Sequence, residues 1–261
     1  STPCGTLFPY TTLFRSTRDR NRIAIQADIL GATAFGIKNC LCIAGDHQSF
    51  SAAGRLKGHA GAKNVYDIDS IQLEVILKNM RDKGILESND PVEVAPDLFI
   101  GAAWSPMVEP VDFRVIRLKK KAEAGADFIQ TQGIYDIEQF AEIMKKVRKL
   151  NLHEKTAILG GIIVPKTLGM LKYMDKNVAG VSVPKQIIER MKQAKKSAGD
   201  DKKLALKKQK EEGIQIAVDL IEGLRKIEGV KGVHLQAIEW EKAIPEVVSK
   251  AGLLPRPTFV K

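Results

Sequence analysis

Polar residues gather where short apolar runs end. Asp46 closes the run Asn39-Cys40-Leu41-Cys42-Ile43-Ala44-Gly45, Trp104 and Ser105 close one that starts at Leu98, Gln132 closes Phe128-Ile129-Gln130-Thr131, and Gln236 lies within Gly232 to Ile238. An apolar run that opens into carboxylate, amide and hydroxyl groups has two readings. It is a strand leaving a core and entering a binding site, or it is a solvated loop. His47, beside Asp46, is read first as a loop hydrogen-bonder.

These runs are separated by segments with helical spacing. Phe113, Val115, Ile116, Leu118 and Ala122 recur as a helix does, and Gly125 stops it because a residue without Cβ can take the left-handed conformation of a C-cap. Asp19 to Gly36 reads as a helix with Ile23, Ala27, Leu30 and Ala34 on one face. Helices are also expected over 69–83, 137–150, 166–174, 185–194, 205–227 and 240–251. Strands are expected over 39–44, 98–104, 128–132, 156–164 and 232–238. A long loop with Gly54, Gly58 and Gly61 follows the first strand. Residues 1–16 show no period and read as an arm foreign to the fold, with a flexible native arm as the other reading; the domain is expected over 17–261.

Composition narrows the class. A chain of 261 residues with 44% hydrophobic content can build one large core. No apolar run reaches the ~20 residues of a membrane span, and no signal peptide is visible. Cys4, Cys40 and Cys42 cannot form a paired framework, which suits a reducing cytoplasm. Cys40 and Cys42 share a strand face without a second ligand pair, so no metal site is expected. The net charge is +10, and residues 190–210 hold nine Lys or Arg against two acids. This favours anionic ligands and does not require nucleic acid.

Strand–helix alternation with long helices predicts right-handed crossovers and a parallel sheet. Neither a Gly-x-Gly-x-x-Gly turn nor a phosphate-binding Gly-x-x-x-x-Gly-Lys loop is present, which argues against a doubly wound nucleotide-binding sheet. Polar groups at the C-terminal ends of several strands are the arrangement of a (β/α)₈ TIM barrel. Only five strands are countable and the first element is a helix. The expected fold is therefore an incomplete barrel with its first strands missing.

Thr17-Arg18-Asp19-Arg20-Asn21-Arg22, Ala44-Gly45-Asp46, Ala124-Gly125-Ala126-Asp127-Phe128-Ile129-Gln130-Thr131-Gln132 and Gly160-Gly161-Ile162 together resemble the methylenetetrahydrofolate reductase family. The match runs in order from Thr17 to about Pro255. The resemblance implies a flavin-containing (β/α)₈ barrel that reduces 5,10-methylenetetrahydrofolate to 5-methyltetrahydrofolate, with a hydride from NAD(P)H passed through FAD. It places the chain in one-carbon metabolism and methionine supply.

By the same resemblance Asp46 lies beside the flavin and the folate, as the catalytic carboxylate. Gly45 gives the backbone close approach to the ring. Tyr66, Ala103, Trp104 and Lys121 match positions that hold FAD, and Gln132 matches the glutamine that touches folate. Blander readings stand beside these. Asp46 can cap a turn, Tyr66 can pack under the loop, and Lys121 belongs to a Lys119-Lys120-Lys121 run of the kind that forms a solvated helix face. The chain departs from the family in having no match for the glutamate of its first strand, the general acid for ring opening. An inactive fragment is therefore expected, with a homo-oligomer or a partner subunit to cover its edges. The competing functions are a related protein acting on another pterin carrier such as methanopterin, and a non-catalytic partner subunit.

Overall fold

The computed structural model describes residues 12–48, 59 and 61–255. The elements in chain order are β1 (Thr12–Ser16), α1 (Arg22–Ala34), β2 (Asn39–Ile43), α2 (Ser70–Lys83), β3 (Phe99–Trp104), α3 (Val111–Ala124), β4 (Phe128–Gly133), α4 (Ile137–Lys149) and the short α5 (Leu152–Lys155). They continue with β5 (Ala157–Ile163), α6 (Leu168–Asn177), α7 (Lys185–Lys196), α8 (Lys202–Arg225), β6 (Val230–Gln236) and, after one 3₁₀ turn, α9 (Ile244–Lys250). The strands form a parallel sheet in the order β1-β2-β3-β4-β5-β6. Each strand lies beside its predecessor, as in a (β/α)₈ barrel; a doubly wound sheet reverses direction at a switch point.

The sixth strand corrects the expectation for the arm. Thr12 to Ser16 pair in parallel with Asn39 to Ile43, from Thr12↔Asn39 to Ser16↔Ile43. The strand carries Leu13 into the core, and Thr17 extends the pairing by donating its N–H to the Ile43 carbonyl at 3.1 Å. So residues 12–16 belong to the sheet. Residues 1–11 lie outside the described residues, as do Gly54 and Gly58 of the loop.

Contacts gather into two units. The first contains β1 to β3, α1 to α3, α5 and the start of β4. Its core joins Ile25 and Ile29 of α1, Cys40 and Cys42 of β2, Leu73, Ile76, Leu77 and Met80 of α2, and Ile100 of β3. This reverses the expected face of α1: Ile23 is 74% exposed, whereas Ile25 and Ile29 are fully buried. Two apolar stripes share that helix at helical spacing, and spacing alone cannot choose between them. Polar contacts accompany the buried choice: Arg22 pairs with Asp67 at 2.9 Å and Glu87 at 3.5 Å. Asn21 caps α1, and Asp69 and Gln72 form a reciprocal capping box on α2. Gly125 ends α3 at φ +110°, where any Cβ would press on Lys78.

The second unit contains the end of β4, α4, β5, α6 to α9 and β6. Phe140, Ile143, Met144 and Val147 form the buried stripe of α4. α8 packs so closely that a Cβ on Gly213 would stand 1.8 Å from the Pro165 carbonyl oxygen. No helix among the described residues is long and apolar enough to cross a membrane.

Candidate active site

In the first unit the ends of β1 and β2 are tied into one polar cluster. Ser16 Oγ donates to the Ala44 carbonyl at 3.0 Å and accepts the Arg18 N–H at 3.1 Å. Arg18 Nη1 donates to the Asp46 carbonyl at 3.1 Å, while its Nε and Nη2 grip Asp19, both at 2.8 Å. This fork is a bidentate pair that fixes the guanidinium plane, and it holds the Asp19 carboxyl below the usual carboxylate range. Gln48 Nε2 donates to Asp19 Oδ1, the oxygen that Arg18 Nε also holds, at 2.5 Å. Tyr66, whose φ is +41°, returns its hydroxyl to the Gly45 carbonyl at 3.0 Å.

Gly45 is required by the chain itself. Its φ is +82°, and a Cβ there would lie 2.3 Å from Ser16 Oγ. Beside it the Asp46 carboxylate is exposed, with its main chain clamped by Arg18. Gly45, Asp46 and Tyr66 are thus brought together, and Ser16 and Arg18 complete the group.

Ala103 and Trp104 diverge, because neighbours on a strand point to opposite faces. Ala103 is exposed. Trp104 is buried, and its Nε1–H donates to the Arg114 carbonyl at 2.9 Å. Its ring therefore packs under the strand. Two positions from Ala103 on the same face, Gly101 makes room for the Phe128 ring, which stacks on Phe99 at 5.2 Å.

Lys121 differs from its two neighbours in the run. Lys119 and Lys120 are exposed, as a solvated face predicts, but Lys121 is buried between helices. Its Nζ lies 3.2 Å from Glu74 Oε1 and 3.3 Å from Ser70 Oγ. Glu74 is fully buried, and burial, partly offset by Lys121, pushes its carboxyl up to about 7. To reach a diphosphate, Lys121 would have to break this pair. The Cys42 thiol lies close by. Its hydrogen bond with Cys40 and its burial push it well above the usual thiol range, so it is held protonated. Among the described residues no group of His, Cys, Asp and Glu is arranged to hold a metal ion.

In the second unit Gln132 is half-buried, its Oε1 accepting the Gly133 N–H at 3.1 Å and its Nε2 facing the Ala179 carbonyl at 3.5 Å. The latter is a long contact that a better acceptor can replace. Thr131 fixes the strand end from behind, donating to the Gln132 carbonyl at 2.9 Å and accepting the Gly161 N–H at 2.8 Å. Tyr135 is buried and donates to the Ile163 carbonyl at 2.7 Å. At the end of β6, Gln236 Nε2 lies 3.3 Å from His234 Nδ1, and burial lowers the His234 pKa.

A parallel βα sheet in consecutive order, with its polar groups at the C-terminal strand ends, defines a protein of the (β/α)₈-barrel class. A family model described as methylenetetrahydrofolate reductase matches residues 11–252, and the chain belongs to that family. Similar proteins include methylenetetrahydrofolate reductase 2 of Schizosaccharomyces pombe, 32% identical over 146 residues, which are 53% of this chain and 21% of that protein. Methylenetetrahydrofolate reductase 1 of the same yeast is 27% identical over 146 residues, 56% of this chain and 22% of that protein. The chain thus spans about a fifth of the length of these relatives. An uncharacterized protein from Clostridium thermocellum, described as binding two copies of 5-methyl-5,6,7,8-tetrahydrofolic acid, has a similar fold with a TM-score of 0.52 at 13% identity. The likeness covers 92% of this chain and 70% of that one.

Ser16 and Arg18 were not singled out from the sequence. Ser16 lies in the stretch that reads as foreign, and its role needs the β1–β2 register to be seen. Arg18 was legible only as part of a motif with four charged residues between 18 and 22.

Proposed function

We propose that this chain contributes its six strands to the barrel of a methylenetetrahydrofolate reductase, an enzyme that reduces 5,10-methylenetetrahydrofolate to 5-methyltetrahydrofolate with electrons from NAD(P)H by way of FAD. The observation that carries this reading is the family match over residues 11–252, which includes every site residue named above. When bound, FAD supplies the hydride relay between the nicotinamide and the folate.

The residues at the ends of β2 and β3 fit a planar cofactor in part. Exposed Ala103 leaves open space beside the strand, and the exposed Asp46 carboxylate offers a fixed negative charge, its backbone held by Arg18. Tyr66 and Ser16 tie down the backbone of the Gly45 turn from which that carboxylate projects. Trp104 supports the strand from the buried side, and Lys121 serves as the counter-charge of Glu74 in this arrangement. In the second unit Gln132 offers an amide to the edge of a pterin, and exchanging its 3.5 Å contact with Ala179 for a ligand acceptor costs little.

The test is to titrate the purified chain with FAD and then with 5-methyltetrahydrofolate. A bound flavin whose absorbance band shifts on addition of the folate supports the reading. A chain that binds neither overturns it.

A further inference from the structure

Almost all of the net charge lies in one stretch of the second unit. Residues 166–210 contain thirteen Lys or Arg against four Asp or Glu, an excess of nine in a chain whose net charge is +10. The fold places seven of these lysines around two adjoining clefts. α6 and α7 enclose a cleft of about 850 Å³ rimmed by Lys172, Lys176, Lys185 and Lys192. A second cleft of about 520 Å³ runs to the start of α8 and is rimmed by Lys195, Lys196 and Lys202. Lys172 and Lys192 border both, so the two form one groove.

The acids of the groove are mostly engaged. Asp175 accepts the Val183 N–H at 2.9 Å, and Glu189 pairs with Lys192 at 2.9 Å. Arg190 turns out of the groove to Glu212 at 2.7 Å and Asp219 at 2.8 Å. The groove therefore carries seven lysines against three carboxylates, Asp175, Glu189 and Asp200, a clear basic excess, and among the described residues Lys192 is the one rim lysine with an ion pair. Leu168, Val183 and Ile188 give it an apolar lining, and among the described residues no aromatic side chain borders it.

We propose that this groove binds an acidic segment of a partner protein that also carries apolar side chains. Like charges held close repel, and an occupant bearing carboxylates removes that repulsion. The apolar lining takes the side chains between those carboxylates. Two contiguous clefts suit an extended segment better than one compact ligand. Single-stranded nucleic acid is disfavoured, because the groove lacks the aromatic platforms on which bases stack and the arginine forks that match phosphate.

The experiment is fluorescence anisotropy with the full chain, using a short labelled peptide of alternating Glu and Leu, its Gln-for-Glu counterpart and an oligo-dT of similar length. The Glu peptide is expected to bind, to weaken as salt rises, and to lose affinity by about tenfold or more, roughly 1.4 kcal/mol, in the triple variant Lys172→Gln, Lys192→Gln, Lys196→Gln. These lysines are on the surface, so the variant should keep its melting temperature. Ile188→Asp should also weaken the peptide, through the lining. Equal binding of the Gln peptide, an unchanged affinity in the triple variant, or tighter binding of oligo-dT than of the Glu peptide would each overturn the proposal.

Discussion

Asp46 shows what one strand-end residue does when its backbone is fixed and its side chain left free. Arg18 clamps its carbonyl while the carboxylate stays exposed. Asp46→Asn keeps the shape and removes the charge, so under the proposed function the variant, made in the completed enzyme, should retain FAD and reduce methylenetetrahydrofolate ~10²-fold more slowly, the usual scale for one lost electrostatic contribution. Rapid-mixing measurement of flavin reoxidation by the folate checks this, and an unchanged rate would remove Asp46 from the chemistry. Gln132→Ala deletes an amide whose protein contact is long, and Thr131 holds the strand without it. Folate affinity should fall by ~1–3 kcal/mol while flavin reduction by NAD(P)H persists; an equal loss in both half-reactions would refute a folate-specific role. Asp46 and Gln132 were legible in the sequence because each follows an apolar run. Lys121 was not legible as a buried ion, since nothing in three consecutive lysines marks which one turns inward.

At the scale of elements, the contact between α2 and α3 rests on a buried ion pair. Folded Glu74 keeps its proton to about pH 7, against 4.5 as its ordinary value. Between those values the folded state binds a proton that the unfolded state has lost, so stability falls as pH rises and levels off above about 7. The shift corresponds to at most about 3 kcal/mol. Urea denaturation of Glu74→Gln at pH 5 and pH 8 should show that decline largely abolished, and an unaltered pH profile would mean that Glu74 does not cause it. Lys121→Met should destabilise by roughly 3–5 kcal/mol at pH 8, because it leaves a buried carboxylate alone, and adding Glu74→Leu should restore most of the loss. The positions of these helices were readable from caps and breakers, such as Asp69 with Gln72 and Gly125. Their inward faces were harder to read, as α1 demonstrates: Ile23 and Ile25 both fit a helical stripe, and Ile25 is the one buried in the core.

For the molecule as a whole, β1 and β6 are the terminal strands of the sheet order. β1 carries Phe14, which is 57% exposed. A terminal strand bearing an exposed aromatic residue invites pairing with another chain, and a charge on such a strand discourages it. Phe14→Lys should therefore lower concentration-dependent association in size-exclusion chromatography with light scattering; association that persists unchanged would place the contact elsewhere. The consecutive parallel architecture was legible from alternating elements, whereas β1 was not, since five residues without a clean period become a strand only when a partner fixes them. The strand order also bears on how the protein is made. β1 and β2 can pair once residues 12–43 are available, and each later strand adds to an edge already laid down. Structure can therefore grow in the direction of synthesis, without early segments waiting for the C-terminus. Pulse-labelled hydrogen exchange during refolding should find the β1–β2 amides protected before those of β5–β6, whose pairing at Ile158↔Val230 must await the whole of the 24-residue α8. Simultaneous protection would mean instead that the described strands form the sheet as one cooperative unit.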